Sequence, residues 1–158
     1  MVRNSRSKKL SLEAKKYKKK TKVLIRTRQL TQLNYSGAGK LKIDDFTVKN
    51  VQLNLEGAIA STIQINCQQF ELNVEGVSSH NLTGSTDNFE VSVEGANSIN
   101  ARKFKTKVAD IDIEGTNSAS FWVTDDLAIQ LDGLNSVSYR GEPAIEKTVS
   151  ITSNLKKE

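Results

Sequence analysis

Cysteine, proline, methionine, tryptophan and histidine each occur once in this 158-residue chain. Cys67 alone cannot close an internal disulfide or build a thiolate metal cluster. His80 alone excludes a paired-histidine metal site. As a base it would need a nucleophile and an orienting partner, and no G-x-S-x-G or His/Cys cluster is there to supply them. No run of 18 apolar residues occurs, so no segment reads as a membrane-spanning helix. Met1 leads into Arg3, Arg6, Lys8 and Lys9 with no apolar stretch behind them, so no secretory signal is read at the start. The single proline, Pro143, leaves the rest of the chain free of a residue that interrupts strand ladders. Helical periodicity is missing from residues 29–158.

Charge is unevenly spread. The net charge of +5 averages two unlike parts. Residues 1–28 hold 12 Lys/Arg against Glu13 alone, and residues 29–158 hold 17 acids against 11 Lys/Arg. A basic segment reads as a nucleic-acid or anionic-surface arm, or as a solvated edge strand and turn; the second reading is preferred, and nucleic acid is not the expected partner. Leu10 and Leu12 mark a short strand at residues 8–13, and Val23 and Ile25 another at 21–27, with a solvated turn at 15–20. Residues 1–28 are therefore taken as leading strands, a first coil or a cap. Residues 29–155 form the repeat body of the same domain, and 156–158 a tail.

What the chain does have is a recurring glycine. Gly37, Gly57, Gly76, Gly95, Gly115 and Gly133 are spaced 20, 19, 19, 20 and 18 residues apart. Ahead of each lies an alternating strand such as Val51-Leu53-Leu55, Phe70-Leu72-Val74, Phe89-Val91-Val93 or Leu127-Ile129-Leu131. Lys147-Val149-Ile151 reads as a last such strand, with Ser153 in place of the glycine. A second strand follows each glycine, at Leu41/Ile43, Ser61/Ile63, His80/Leu82, Ile99/Ala101, Ala119/Phe121 and Val137/Tyr139. A third, less regular segment closes each repeat and is widest at residues 102–108 and 141–146, where outward loops are expected. A period near 20 residues with strands of one sense predicts an all-β fold. It is a single-stranded parallel β-helix of about six to seven coils, right-handed by the general rule for parallel crossovers.

Set in register, the repeats give columns. Glu56, Glu75, Glu94, Glu114 and Asp132 stack one per coil about 4.8 Å apart. They offer hard oxygen ligands for a calcium stripe, or carboxylates that accept N–H groups of a solvated corner; the corner reading is preferred. Asn97, Asn117 and Asn135 lie two residues past their glycines and form a structural ladder at a tight turn. Trp122 follows inward Phe121 and so points outward, near residues 102–107 of the neighbouring coil. Trp122 and Arg102 are the candidate ligand contacts, through stacking or cation–π attraction.

The order apolar strand, small or acidic residue, Gly, then Asn/Ser and a second strand resembles the putative auto-transporter adhesin head GIN domain family. It is carried by Tyr35-Ser36-Gly37-Ala38-Gly39, Glu94-Gly95-Ala96-Asn97-Ser98-Ile99, Glu114-Gly115-Thr116-Asn117-Ser118-Ala119 and Asp132-Gly133-Leu134-Asn135-Ser136-Val137. Ser138-Tyr139-Arg140-Gly141-Glu142-Pro143 is similar to that family's last coil. Most turns here carry Glu-Gly where the family has Ser-Gly-Ser-Gly. The chain starts inside the family's pattern, near Lys8-Lys9-Leu10-Ser11-Leu12, and reads as an N-terminally truncated member.

The resemblance implies an exported domain, at the cell surface, outer-membrane-associated or periplasmic. It implies a non-enzymatic, adhesin-like module that meets an envelope protein or glycan by multivalent contact. No cofactor, catalytic residue or membrane span is expected, and the chain is expected to be a monomer or weak oligomer. The alternative is a self-polymerising structural β-helix that resembles bactofilins; a glycan-active enzyme is the least favoured reading.

Overall fold

The computed structural model describes residues 2–3, 9–13, 24–25 and 29–158. Its strands are β1 (Val2–Arg3), β2 (Lys9–Glu13), β3 (Leu24–Ile25), β4 (Gln32–Thr47), β5 (Asn50–Gly76), β6 (Ser79–Gly95), β7 (Ser98–Arg140), β8 (Ala144–Val149) and β9 (Asn154–Lys157). There is no helix among the described residues. One sheet runs β2-β4-β5-β6-β7-β8 with β9 also on β7, and β1 pairs separately with β3. Every pairing is parallel. This is a β-solenoid of about seven turns.

The alternation explains the strands. Leu33 stacks on Leu53, Leu72 on Val91 and Val91 on Ile111, each pair one repeat apart and all buried. Fully burying each such side chain contributes about 1.5–3 kcal/mol before chain entropy is counted. The second column is equally regular: Leu41, Ser61, His80 and Ile99 lie in register. The interior is thickest where Phe70 stacks on Phe89 at 5.1 Å and Phe104 meets Phe89 edge-on at the same distance.

The strands are long because pairing continues round the corners. Gly37 pairs with Gly57 and the ladder runs on past them, whereas β5 and β6 end on Gly76 and Gly95, which pair with Gly95 and Gly115, and pairing resumes at Ser79 and Ser98. Gly76 shows why the corner needs glycine: its φ is 113°, and a Cβ there would lie 2.5 Å from the Gly57 carbonyl oxygen of the coil below.

Several sequence-based details change. The leading strand expected at 8–13 is found at Lys9–Glu13, with Leu10 on Leu33 and Leu12 on Tyr35. Leu24–Ile25 pairs with β1. The turn at 15–20 and the side chains of the basic segment lie outside the described residues. The loop expected at 102–108 is strand. One extra residue is absorbed between Asn81/Asn100 and Thr83/Lys103, after which Phe104 and Thr106 turn inward. Here Asn100 Oδ1 accepts the Arg102 N–H at 3.3 Å, which satisfies the bulge. The segment 141–146 likewise enters β8 at Ala144.

The end of the chain differs too. Ile145, Lys147 and Val149 align with Leu127, Ile129 and Leu131, so the last strand of this side ends before Ile151, which is fully exposed in a turn. Ser153 stands in the asparagine column: its Oγ accepts the N–H of Asn135 at 3.3 Å, as the next asparagine would. A further strand, β9, follows, and its ladder onto β7 reaches Lys157.

Candidate functional site

The Asn column is an internal corner brace. Asn97, Asn117 and Asn135 are all buried. Each Nδ2 donates to the backbone carbonyl three residues back, on Glu114 at 2.8 Å for Asn117 and on Asp132 at 2.6 Å for Asn135. Two of the oxygens serve the coil below: Asn117 Oδ1 accepts the Asn97 N–H at 2.8 Å and Asn135 Oδ1 the Asn117 N–H at 3.1 Å, while Asn97 Oδ1 is buried without a partner among the described residues. Ser78 begins the same column, accepting the Ile59 N–H at 3.2 Å and donating to the Gly57 carbonyl at 3.1 Å. This ladder faces the interior and offers nothing to a ligand.

The acid column stands outside. Glu56, Glu75, Glu94, Glu114 and Asp132 are exposed, and Glu75, Glu94 and Glu114 follow one another in register. No three His, Cys, Asp or Glu groups close on a common point among the described residues. The column is one edge of a larger acidic face. Glu71, Glu90, Asp110 and Asp112 point outward from the same side, and no Lys or Arg shares its outward positions between residues 52 and 132. An amide ladder ties part of it together: Asn54 Nδ2 donates to Asn34 Oδ1 at 2.6 Å, and Asn73 Nδ2 donates to Asn54 Oδ1 at 2.8 Å and to Glu71 Oε1 at 2.8 Å. A shallow open groove runs over Asn54, Glu56, Asn73, Glu75 and Ser92.

His80 is in the core. It is 1% exposed, and its Nδ1 lies 2.7 Å from Ser61 Oγ. Its Nε2 is buried without a partner among the described residues. Burial pushes its pKa down to about 4, so the ring is neutral at pH 7. The pair has the makings of a nucleophile and a base but no path for a substrate. Cys67 is half-buried, hydrogen-bonded through Sγ to Thr86 Oγ1 at 3.5 Å, and burial raises its pKa. Its thiol is therefore a poor nucleophile.

Trp122 points outward, as its place after buried Phe121 requires. It is held between cations of two neighbouring coils. The Arg140 guanidinium lies 3.8 Å from the ring centroid and the Lys105 ammonium 5.5 Å from it. Arg102, expected beside it, instead pairs with Glu158. The bulge just before Lys103 shifts the following residues by one against β6, and Lys105, not Arg102, is the residue of this segment at the ring. Glu158 also accepts from Ser138 Oγ at 2.6 Å. That hydrogen bond above all, helped by Arg102 and Arg140, holds its carboxyl below the usual range. Lys107 pairs with Asp87 at 2.7 Å. Lys103, Lys105 and Arg140 have no carboxylate within ion-pair distance among the described residues.

Among known proteins, the sequence model of one family, described as "Putative auto-transporter adhesin, head GIN domain", matches residues 2–143. No curated protein matches. No solved structure matches.

Proposed function

The chain belongs to the putative auto-transporter adhesin head GIN domain family, and on that premise we propose that it is an exported, adhesin-like domain. It works by contact along its stacked outer faces and not by catalysis. The observation that carries this reading is the parallel register from coil to coil, shifted only between Ile43 and Phe46 and between Asn81 and Thr83, which stacks equivalent outward side chains about every 4.8 Å. Weak contacts at that spacing add by multivalency. The one Ser–His pair is sealed in the core, which supports a role without turnover.

The C-terminal coil bears on the polymerising alternative. Lys147 stands in register with buried Ile129, and Lys157 with Tyr139. Charges at positions that face inward in the preceding coil blunt a sheet edge against further strand addition. That favours a discrete domain over end-to-end growth.

The test is binding of the labelled full chain to bacterial envelope fractions and to a panel of their purified glycans. Saturable, reversible retention with glycan length unchanged is expected. Absence of retention, or shortening of any glycan on incubation, would overturn the reading.

A further inference from the structure

The cations around Trp122 are out of keeping with the body they sit on. Residues 29–158 carry six more acids than bases, yet Lys105 and Arg140 flank one half-buried indole, and Arg102, Lys103 and Lys107 are exposed on the same stretch of chain as Lys105. Like charges on adjacent ladder positions repel. Two of the five are answered inside the chain: Arg102 by Glu158 and Lys107 by Asp87. Lys103 and Lys105 are left facing solvent, and Arg140, close enough to Glu158 to favour its charged form, makes no ion pair with it.

Arg140 is the best placed of them. A guanidinium stacked by its face on an indole is fixed in orientation while its N–H edges stay free. The free edges form a planar fork that fits a carboxylate, sulfate or phosphate with two parallel hydrogen bonds. Lys105 lies on the same ring and supplies a second charge. Lys103, two residues from Lys105 along the outward side, supplies a third. Among the described residues no protein acceptor takes the Trp122 indole N–H, so that donor is unused within the chain. One anionic group on Arg140, with neutral hydroxyls against the indole edge and the partly buried Ser120 hydroxyl, makes the chemistry of an acidic sugar; the Thr124 hydroxyl is taken by Asp125 and the Thr106 carbonyl.

We propose that the Trp122–Arg140–Lys105 corner is a binding site for an anionic glycan, the acidic group being held by Arg140 and Lys105. This rests on the reading of the chain as an exported contact domain, and it names the ligand class for one of its surfaces. The acidic face of the solenoid repels such a polymer.

The test is isothermal titration of the full chain with oligogalacturonate, with its methyl-esterified neutral counterpart and with a single-stranded oligonucleotide of matched charge. Arg140→Gln is an exposed change expected to leave folding intact. It should weaken oligogalacturonate binding about tenfold, the scale of one charge-assisted fork. Arg28→Gln, the same charge change in the basic N-terminal segment, should weaken it less than twofold. The ester should not bind. Equal losses from Arg28→Gln and Arg140→Gln would mean diffuse attraction and overturn the site. So would equal binding of the ester, or tighter binding of the oligonucleotide. A sulfated glycan titrated in parallel separates carboxylate from sulfate as the held group. If the wild type binds envelope fractions but Arg140→Gln binds them equally well, this inference fails alone. If the wild type binds no envelope fraction, the reading beneath it fails.

Discussion

Asn117 and Asn97 are joined twice by one oxygen: Asn117 Oδ1 accepts the Asn97 backbone N–H at 2.8 Å and its side-chain Nδ2–H at 3.2 Å. Asn117 in turn donates to the Glu114 carbonyl and to Asn135 Oδ1. The column is a chain of buried amides, each of which closes its own corner, and Asn117 and Asn135 also cap the coil beneath. Replacing Asn117 by Leu leaves the Asn97 N–H without its acceptor and the Glu114 carbonyl without its side-chain donor, while Asn135 Oδ1 keeps only the residue 117 backbone N–H. The expected cost is about 2–4 kcal/mol, at about 1–3 kcal/mol per stranded buried group with partial relaxation. Thermal denaturation followed by circular dichroism should show a fall in Tm. An unchanged Tm would mean that the ladder is not structural.

His80 predicts an acid-labile core. Its folded pKa of about 4 is below the unfolded value near 6.5, so the unfolded chain binds the extra proton first. The stability tied to the neutral ring is therefore complete above pH 6.5 and is lost as the pH falls toward 4. The loss is about 3 kcal/mol at most. The double change His80→Ile with Ser61→Ala replaces the polar pair by residues like the Ile99 of the next coil. Urea midpoints measured at pH 7 and pH 4 should differ less in this variant than in the wild type. An equal pH dependence in both would assign the acid sensitivity elsewhere.

At Gly76 a methyl group meets backbone, and the backbone φ of 113° is one that L-residues rarely adopt. Gly76→Ala should cost about 2–4 kcal/mol through strain and displacement of the coil below. Gly39→Ala is the contrast, because its Cβ meets only the hydroxyl end of the Tyr35 side chain, which can swing away. Chemical denaturation of the two variants should rank Gly76→Ala well below Gly39→Ala. The reverse ranking would contradict the corner geometry.

The last coil predicts an assembly phenotype. Lys147→Ile together with Lys157→Leu restores apolar residues at two ladder positions and removes the Lys157–Glu142 ion pair. Sedimentation velocity should show concentration-dependent association of this variant and none, or weaker association, of the wild type. Association unchanged by the substitutions would mean that the lysines do not guard that edge.

How much of this was legible depended on whether a feature lay within one repeat or between repeats. The glycine corners, the acid column and the inward alternation were readable because each is set by residues a few positions apart. Phe104 was missed as core because a single extra residue at Arg102 breaks the period just before it. Lys105 at Trp122 and Arg102 at Glu158 both follow that break in the period, so neither contact could be placed by counting repeats. The outward direction of Trp122 was evident from alternation, but Arg140 as its stacking partner needs the register of the following coil. Ser153 looked like a substitute for glycine. Only the hydrogen bond to Asn135 reveals that it closes the asparagine ladder, since serine and asparagine accept the same N–H.

All of these readings rest on one claim: that each glycine-to-glycine repeat is one turn of a parallel stack, so that residues 36, 94, 114 and 132 lie along one straight column. Electron–electron distance measurement on nitroxide pairs tests it directly. With Cys67 replaced by Ser, labels would be placed at Ser36 with Glu94, at Ser36 with Glu114 and at Ser36 with Asp132. The solenoid predicts three narrow distributions whose centres rise by about 5 Å per added repeat. Distances that fail to rise, or a 36–132 pair closer than the 36–114 pair as an antiparallel fold would give, would contradict it.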